Sequence, residues 1–230
     1  TILDELCAEL SLLRAPATPD SPRAHGATAR RMQSAVAPHA VAAFITPMAA
    51  VAGAVAEEVL AAMQDVTDLS RAYVNNGGDI ALHLASGERL ALGLVDRPDQ
   101  PSLFARTTVE AAEPVRGVAT SGWRGRSHSL GIADAVTVLA DTASAADAAA
   151  TMIANAVDLP GHAAITRLAC SEIDPDSDLG DRLVTHDVGA LADDEIEAAL
   201  ANGATTARGF VAAGLVRAAA LHLRGVTLVA

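Results

Sequence analysis

The chain is expected to fold as an α+β protein in which an antiparallel sheet packs on buried, alanine-rich helices. Three observations predict this. Alternating segments cluster around glycine turns in the middle of the chain, two long helical runs contain little but Ala, Val and Gly, and strands do not alternate with helices as a parallel sheet would require. Two hundred and thirty residues suffice for a full core without disulfide or zinc staples. That core has to be aliphatic and small: Ala occupies 53 positions, against five aromatics (Phe44, Tyr73, Phe104, Trp123, Phe210).

The elements follow in order. Residues 2–13 place Ile, Leu and Cys at helical spacing and stop before Pro16. Residues 15–28, with Pro16, Pro19, Pro22 and Gly26, read as an irregular connector, followed by a short helix over 29–36. Thr46 caps a helix that has Pro47 at its first position and no charged residue before Glu57, the pattern of a buried helix. Residues 72–84, 89–95, 103–112 and 134–140 carry strand signals, with Asn76-Gly77-Gly78 and Ser86-Gly87 as turns. After Ser144, residues 145–157 read as a second alanine-rich buried helix. Beyond it come a strand-like stretch at 163–171, an acidic turn-rich segment (Asp174, Asp176, Asp178), an acidic helix at 192–202, and apolar segments at 209–221 and 225–229.

Composition also excludes functions. All sixteen basic residues are Arg, so Schiff-base, P-loop and general-base lysines are impossible. A formal charge of −12 and few aromatics argue against nucleic-acid binding. Cys7 and Cys170 lack metal-ligand spacing and read as small core residues. No apolar run is long enough to span a bilayer, and residues 1–20 do not read as a signal peptide, so the chain is expected to be soluble and cytoplasmic. The apolar C-terminal segments suit a homodimer contact.

Four stretches carry candidate chemistry. Asn76, Gly77, Gly78 and Asp79 lie between two strand halves, where glycines permit close backbone approach to a ligand, and a plain hairpin turn explains them equally well. The loop 119–131 gathers Thr120, Ser121, Ser127 and Ser129 with Gly122, Arg124, Arg126 and His128. Its backbone amides could form an anion nest and its guanidiniums could pair phosphate or carboxylate oxygens. Arg124 and Arg126, with His128 nearby, read as the one local basic excess. Asp147 and Thr151 stand one helical turn apart, so a carboxylate and a hydroxyl converge as oxygen donors for a cation such as Mg²⁺; the alternative is a first-turn carboxylate favoured by the helix dipole. The fourth stretch is the small-residue helix start, Pro47 to Gly53, which also reads as a tight packing seam.

The order of these stretches resembles the FAD:protein FMN transferases and, more closely, a branch of the ApbE-like superfamily. The matching motifs are Pro-Met-Ala-Ala-Val-Ala-Gly-Ala at 47–54, Asn-Gly-Gly-Asp-Ile at 76–80, His-Ser-x-Gly-x-Ala-Asp-Ala-Val-Thr-Val at 128–138, and Ala-Asp-Ala-Ala-Ala-Thr at 146–151. The resemblance implies a T-fold-like single domain over residues 1–230 with its core at 40–160. It also implies residues ahead of Thr1, and a cleft between the 75–79 loop, the 120–131 loop and the two alanine-rich helices. A flavin nucleotide would bind there with Mg²⁺ on Asp147, Thr151 and a backbone carbonyl near Ala49, the cation polarising the pyrophosphate for transfer. Two departures point away from the transfer itself: the transferases' motif lysine is Gly53 here, and their His-x-x-Asp-Pro segment is His128-Ser129-Leu130-Gly131-Ile132.

The expectation is therefore binding of a flavin nucleotide or another phosphorylated or carboxylated small molecule. A different reaction with His128 as acid/base and Arg124 and Arg126 as anion clamps stays open, and so does a non-catalytic or accessory role. An N-terminal nucleophile at Thr1 is disfavoured, because a helix begins at once.

Overall fold

The computed structural model describes residues 1–95 and 103–230, and the side chains of Leu103 and Phe104 also lie outside the described set. The fold is α+β with antiparallel strand pairing, as the turn-centred alternation predicts. In chain order the elements are α1 (Ile2–Ala8), α2 (Leu10–Leu13), α3 (Ala27–Val36), a 3₁₀ turn (Pro47–Ala50) leading into α4 (Val51–Val66), β1 (Arg71–Asn76), β2 (Asp79–Leu84), β3 (Arg89–Val95), β4 (Leu103–Glu110), β5 (Gly117–Ser121), β6 (Ala135–Ala140), α5 (Ala143–Ala156), β7 (Ile165–Ala169), α6 (Cys170–Ile173), β8 (Leu183–Val188), α7 (Asp193–Ala212), β9 (Ala218–Leu223) and β10 (Val226–Val229).

The chain divides into two compact units, residues 1–90, 109–119 and 139–148 in the first and 91–108, 120–138 and 149–230 in the second. In the first, Thr1 caps α1, its hydroxyl oxygen accepting from the Asp4 amide at 3.3 Å. The expected first helix is broken at Glu9, whose carboxylate leaves the helix face to accept from the His25 and Gly26 amides at 2.7 and 2.8 Å. The connector 15–26 is tied down there. β1 and β2 form a hairpin in register from Arg71–Leu84 to Asn76–Asp79, and β5 continues the sheet beside β2. Its core shows what the alanine excess is for: Ala56 and Leu60 of α4 meet Ala72, Ala81 and Ala143, so helix and sheet approach closely.

In the second unit, β9 pairs with β10, and large aliphatics (Ile132, Val136, Val138, Ile153, Leu200, Leu221, Leu223) are fully buried. β7 and β8 form a separate antiparallel pair with a register shift after Thr166. β8 has no counterpart in the sequence reading. Helix α7 runs ten residues beyond the predicted end at 202, because Gly203 does not stop it. A Cβ there would lie 2.3 Å from the Val157 side chain, so the glycine serves close packing inside a continuous helix. Cys170 is buried as expected, whereas Cys7 is exposed. Among the described residues no helix is long and apolar enough to cross a membrane.

Candidate functional site

In the first unit three sequence-marked stretches converge. The residues Asn76, Gly77, Gly78 and Asp79 make the two-residue turn of the β1–β2 hairpin, with φ of 74° at Gly77 and 117° at Gly78. Both values lie where L-residues with a Cβ are strained, so the hairpin by itself accounts for both glycines. The Gly78 amide donates to Asn75 Oδ1 at 2.9 Å, and Asn76 Nδ2 donates to the Ala52 carbonyl at 3.2 Å, fastening the turn to the start of α4.

The other side of that helix start meets α5. The Gly53 amide donates to Asp147 Oδ2 at 3.0 Å and the Ala52 amide also bonds this carboxylate, so Asp147 satisfies two amides that no carbonyl within α4 can reach. A Cβ on Gly53 would lie 2.3 Å from the Ala143 carbonyl oxygen, closer than atoms pack, which fixes glycine at this crossing. One turn along α4, Glu57 Oε1 accepts from the Ser144 amide at 2.6 Å, and Arg31 approaches its other oxygen at 3.7 Å.

Burial pushes the Asp147 carboxyl well above the ordinary carboxylate range, and the like charge of Asp79 pushes it further. The Gly53 and Ala52 amides act in the opposite direction and are outweighed. Two oxygen-donor carboxylates thus act on each other beside a helix start. Ala49 lies in the 3₁₀ turn, its own amide donating to the Thr46 carbonyl at 3.1 Å. Thr151 is one turn beyond Asp147 on α5 and belongs to the second unit.

The second unit holds the other marked residues. Thr120 and Ser121 end strand β5 and are not loop residues; the Thr120 hydroxyl is 2.9 Å from that of Thr137. A Cβ on Gly122 would lie 2.5 Å from the Asp134 carbonyl oxygen. Arg124 Nε donates to Asp134 Oδ1 at 2.7 Å, and its guanidinium lies 4.4 Å over the Trp123 ring. Asp134 further accepts from Trp123 Nε1 at 3.2 Å and from the Arg224 amide at 2.6 Å. The charge of Arg124 is therefore met inside the protein. Arg126 and Ser127 are exposed and His128 is half-buried. Ser129 is buried, accepting from the Gly131 amide at 3.2 Å and donating to Asn155 Oδ1 at 3.3 Å.

Several residues that organise these sites escaped the sequence reading. Asp134 sits inside the quoted motif beginning at His128, and its role as a shared acceptor needs Arg224, ninety residues away. Glu57 looked like the first polar residue of a buried helix, and only the fold shows that it caps α5. Asn155 and Arg167 hold the 129–131 segment through the Leu130 amide and carbonyl, respectively. Among the described residues no group of three or more His, Cys, Asp or Glu side chains comes together as a metal site.

Fold and sites together define an α+β protein with a half-buried carboxylate set against a helix start, in a unit whose crossings require glycine and alanine. The chain belongs to the family described as AbpE bacteria, whose model matches residues 1–229. It is similar to a UPF0280 protein of Methanopyrus kandleri, 45% identical over 112 residues that make up 48% of this chain and 43% of that protein. A UPF0280 protein of Methanococcoides burtonii is 39% identical over 127 residues, 51% of this chain and 48% of its own length. One from Methanosphaerula palustris is 38% identical over 170 residues, 69% and 63% of the two chains. The chain spans about half the length of the first two relatives.

These matches correct the resemblance to the FAD:protein FMN transferases and the ApbE-like superfamily: the family match and the names of the relatives indicate no flavin-transferase family. The physical reason lies in what the motifs are made of. Gly53 is required by the Ala143 carbonyl, Gly131 by the Ala154 carbonyl only 2.0 Å from a notional Cβ, and Gly77 and Gly78 by a hairpin. Short patterns of small residues record close backbone crossings, which unrelated chemistries share.

Proposed function

We propose that the first unit binds a phosphorylated or carboxylated small molecule through a divalent cation held by Asp147 and Asp79. One observation supports this reading above others: the Gly53 amide holds Asp147 at the start of α4, and Asn76 fastens to that same start the turn that carries Asp79, whose like charge acts on the Asp147 carboxyl. The donor set fits a hard cation, which takes carboxylate oxygens and completes its shell with water and ligand oxygens. Such a cation relieves the repulsion and, once bound, polarises the oxygens of an anionic ligand. The chain's own part is positional. The Gly53 amide holds Asp147, and Asn76 holds the turn that presents Asp79.

Calorimetry tests the reading directly. Mg²⁺ should bind the wild-type chain, and ADP, FMN or FAD should bind more tightly with Mg²⁺ than with a chelator present. Asp147→Ala and Asp79→Asn should each weaken Mg²⁺ binding by about tenfold or more. Unchanged Mg²⁺ affinity in both variants would refute the assignment. Failure of all three nucleotides to bind below millimolar concentration would remove nucleotides from the ligand class and leave the carboxylated compounds.

A further inference from the structure

A second feature of the first unit lies outside all four marked stretches. A cavity of about 610 Å³ opens between α3 and the beginning of α5, and three arginines, Arg23, Arg30 and Arg31, line it together with Ser34, Thr142 and Ser144. Glu57 is its one acidic lining residue. Arg31 is engaged by Glu57 and Glu58, and Arg30 gives one donor to the His25 carbonyl. Arg23 makes no hydrogen bond or ion pair among the described residues and is exposed. A chain of net charge −12 thus keeps a cationic concavity whose guanidinium donors are only partly used. Arg23, Arg30 and Arg31 fall within nine residues that contain no acidic side chain, so the segment 23–31 is a second basic stretch beside that of Arg124 and Arg126.

The first turn of α5 does not make the site. The Ser144 amide is taken by Glu57 at 2.6 Å and the Ala145 amide by Thr142 Oγ1 at 3.2 Å. What remains is a set of guanidiniums from separate points on the wall, with hydroxyls between them. One bidentate arginine satisfies a carboxylate, whereas a phosphate has oxygens facing several directions and suits guanidiniums arriving from more than one side.

The surroundings narrow the ligand further. A second cavity, of about 280 Å³, has Arg23 and Ser34 in its wall as well, and its other walls include Leu12, Ala15, Pro19, Val36 and Pro47. A cationic chamber and a mainly apolar one therefore share two residues. We propose that the Arg23–Arg30–Arg31 cavity binds the phosphate group of a small organic phosphate whose apolar part lies in the adjoining cavity. This site is separate from the Asp79–Asp147 pair and requires no divalent cation.

The test uses the full chain in the presence of a chelator, which separates it from the cation reading. Calorimetric titration with hexyl phosphate, inorganic phosphate and hexanoate should rank them in that order, with hexyl phosphate about tenfold tighter than phosphate. Arg23→Gln should weaken hexyl phosphate severalfold, and Arg23→Gln with Arg30→Gln by more than about tenfold. Ala37→Gln, which adds a polar group to the wall of the apolar cavity, should remove the preference for hexyl phosphate over phosphate and leave phosphate binding in place. Circular dichroism and melting curves establish that each variant is folded. Equal hexyl phosphate affinity in wild type and the single Arg23 variant, tighter binding of hexanoate, or no binding of either phosphate overturns the proposal.

Discussion

The Gly53 amide donates a 3.0 Å hydrogen bond to the Asp147 carboxylate, joining residues 94 positions apart in the chain. Two requirements meet there. The α4 start needs acceptors for its amides, and the crossing of α4 with Ala143 needs a residue without a Cβ. Glycine satisfies the second and exposes its amide for the first.

Gly53→Ala places a methyl group 2.3 Å from the Ala143 carbonyl oxygen, with backbone and not a flexible side chain as the obstacle. The two helices must separate. Urea denaturation should show a loss of about 2 kcal/mol or more, at the upper end of overpacking effects. A loss below about 0.5 kcal/mol, the scale of an ordinary surface change, would mean that the crossing relaxes freely.

Gly78→Ala meets nothing within 4 Å, so its cost is purely conformational. At φ 117° an alanine is strained, and the β1–β2 hairpin should lose roughly 1–2 kcal/mol. Hydrogen exchange should report the loss first at the β1 and β2 amides nearest the turn. Faster exchange confined to other strands would contradict the turn assignment.

Asp147 gives a pH dependence of definite sign. Its folded carboxyl titrates above the unfolded value, from burial first and the Asp79 charge second. Between the two values the folded state binds more protons, so the contribution to stability is present at low pH and lost as pH rises through the folded value. In chelator-containing buffer, wild-type stability relative to Asp147→Asn should therefore increase on acidification from neutral pH toward the ordinary carboxylate range. Asp79→Asn should shrink that dependence by removing the like charge. Parallel pH profiles for wild type and Asp147→Asn would refute the shift.

Asp134 accepts from Trp123, Arg124 and the Arg224 amide, and Asp134→Ala leaves the partly buried guanidinium without its counter-charge. A loss of about 3 kcal/mol is expected, in the range for breaking such a pair, with Asp134→Asn costing less because its one side-chain oxygen can still accept from Trp123 Nε1 and Arg124 Nε. Trp123, the single tryptophan, reports locally: its emission should move to longer wavelength in the alanine variant before global unfolding. An unchanged spectrum would show that the indole does not depend on Asp134.

Legibility was uneven for reasons the fold makes plain. Helix α4, α5 and the β1–β2 hairpin were readable because their signals are local: Pro47 at a helix start, alanine runs, and Asn76-Gly77-Gly78 at a turn. The break at Glu9 was not, since that carboxylate answers amides at His25 and Gly26. Strand β8 and the full extent of α7 escaped for a similar reason, as Gly203 looks like a stop until Val157 is placed against it. Of the marked site residues, Asp79, Asn76 and Asp147 come together with the α4 start, whereas Arg124 is held by Asp134.

By itself the sequence determined the α+β class, the aliphatic and alanine-rich core, the absence of lysine chemistry and the places where backbone must turn or pass closely. Those follow from composition and local periodicity, which act over a few residues. Tertiary structure alone decided which amide Asp147 would satisfy, which carboxylate would neutralise Arg124, and that Arg23, Arg30 and Arg31 would face one cavity. Burial and charge pairing depend on neighbours far apart in the chain, so no local pattern encodes them.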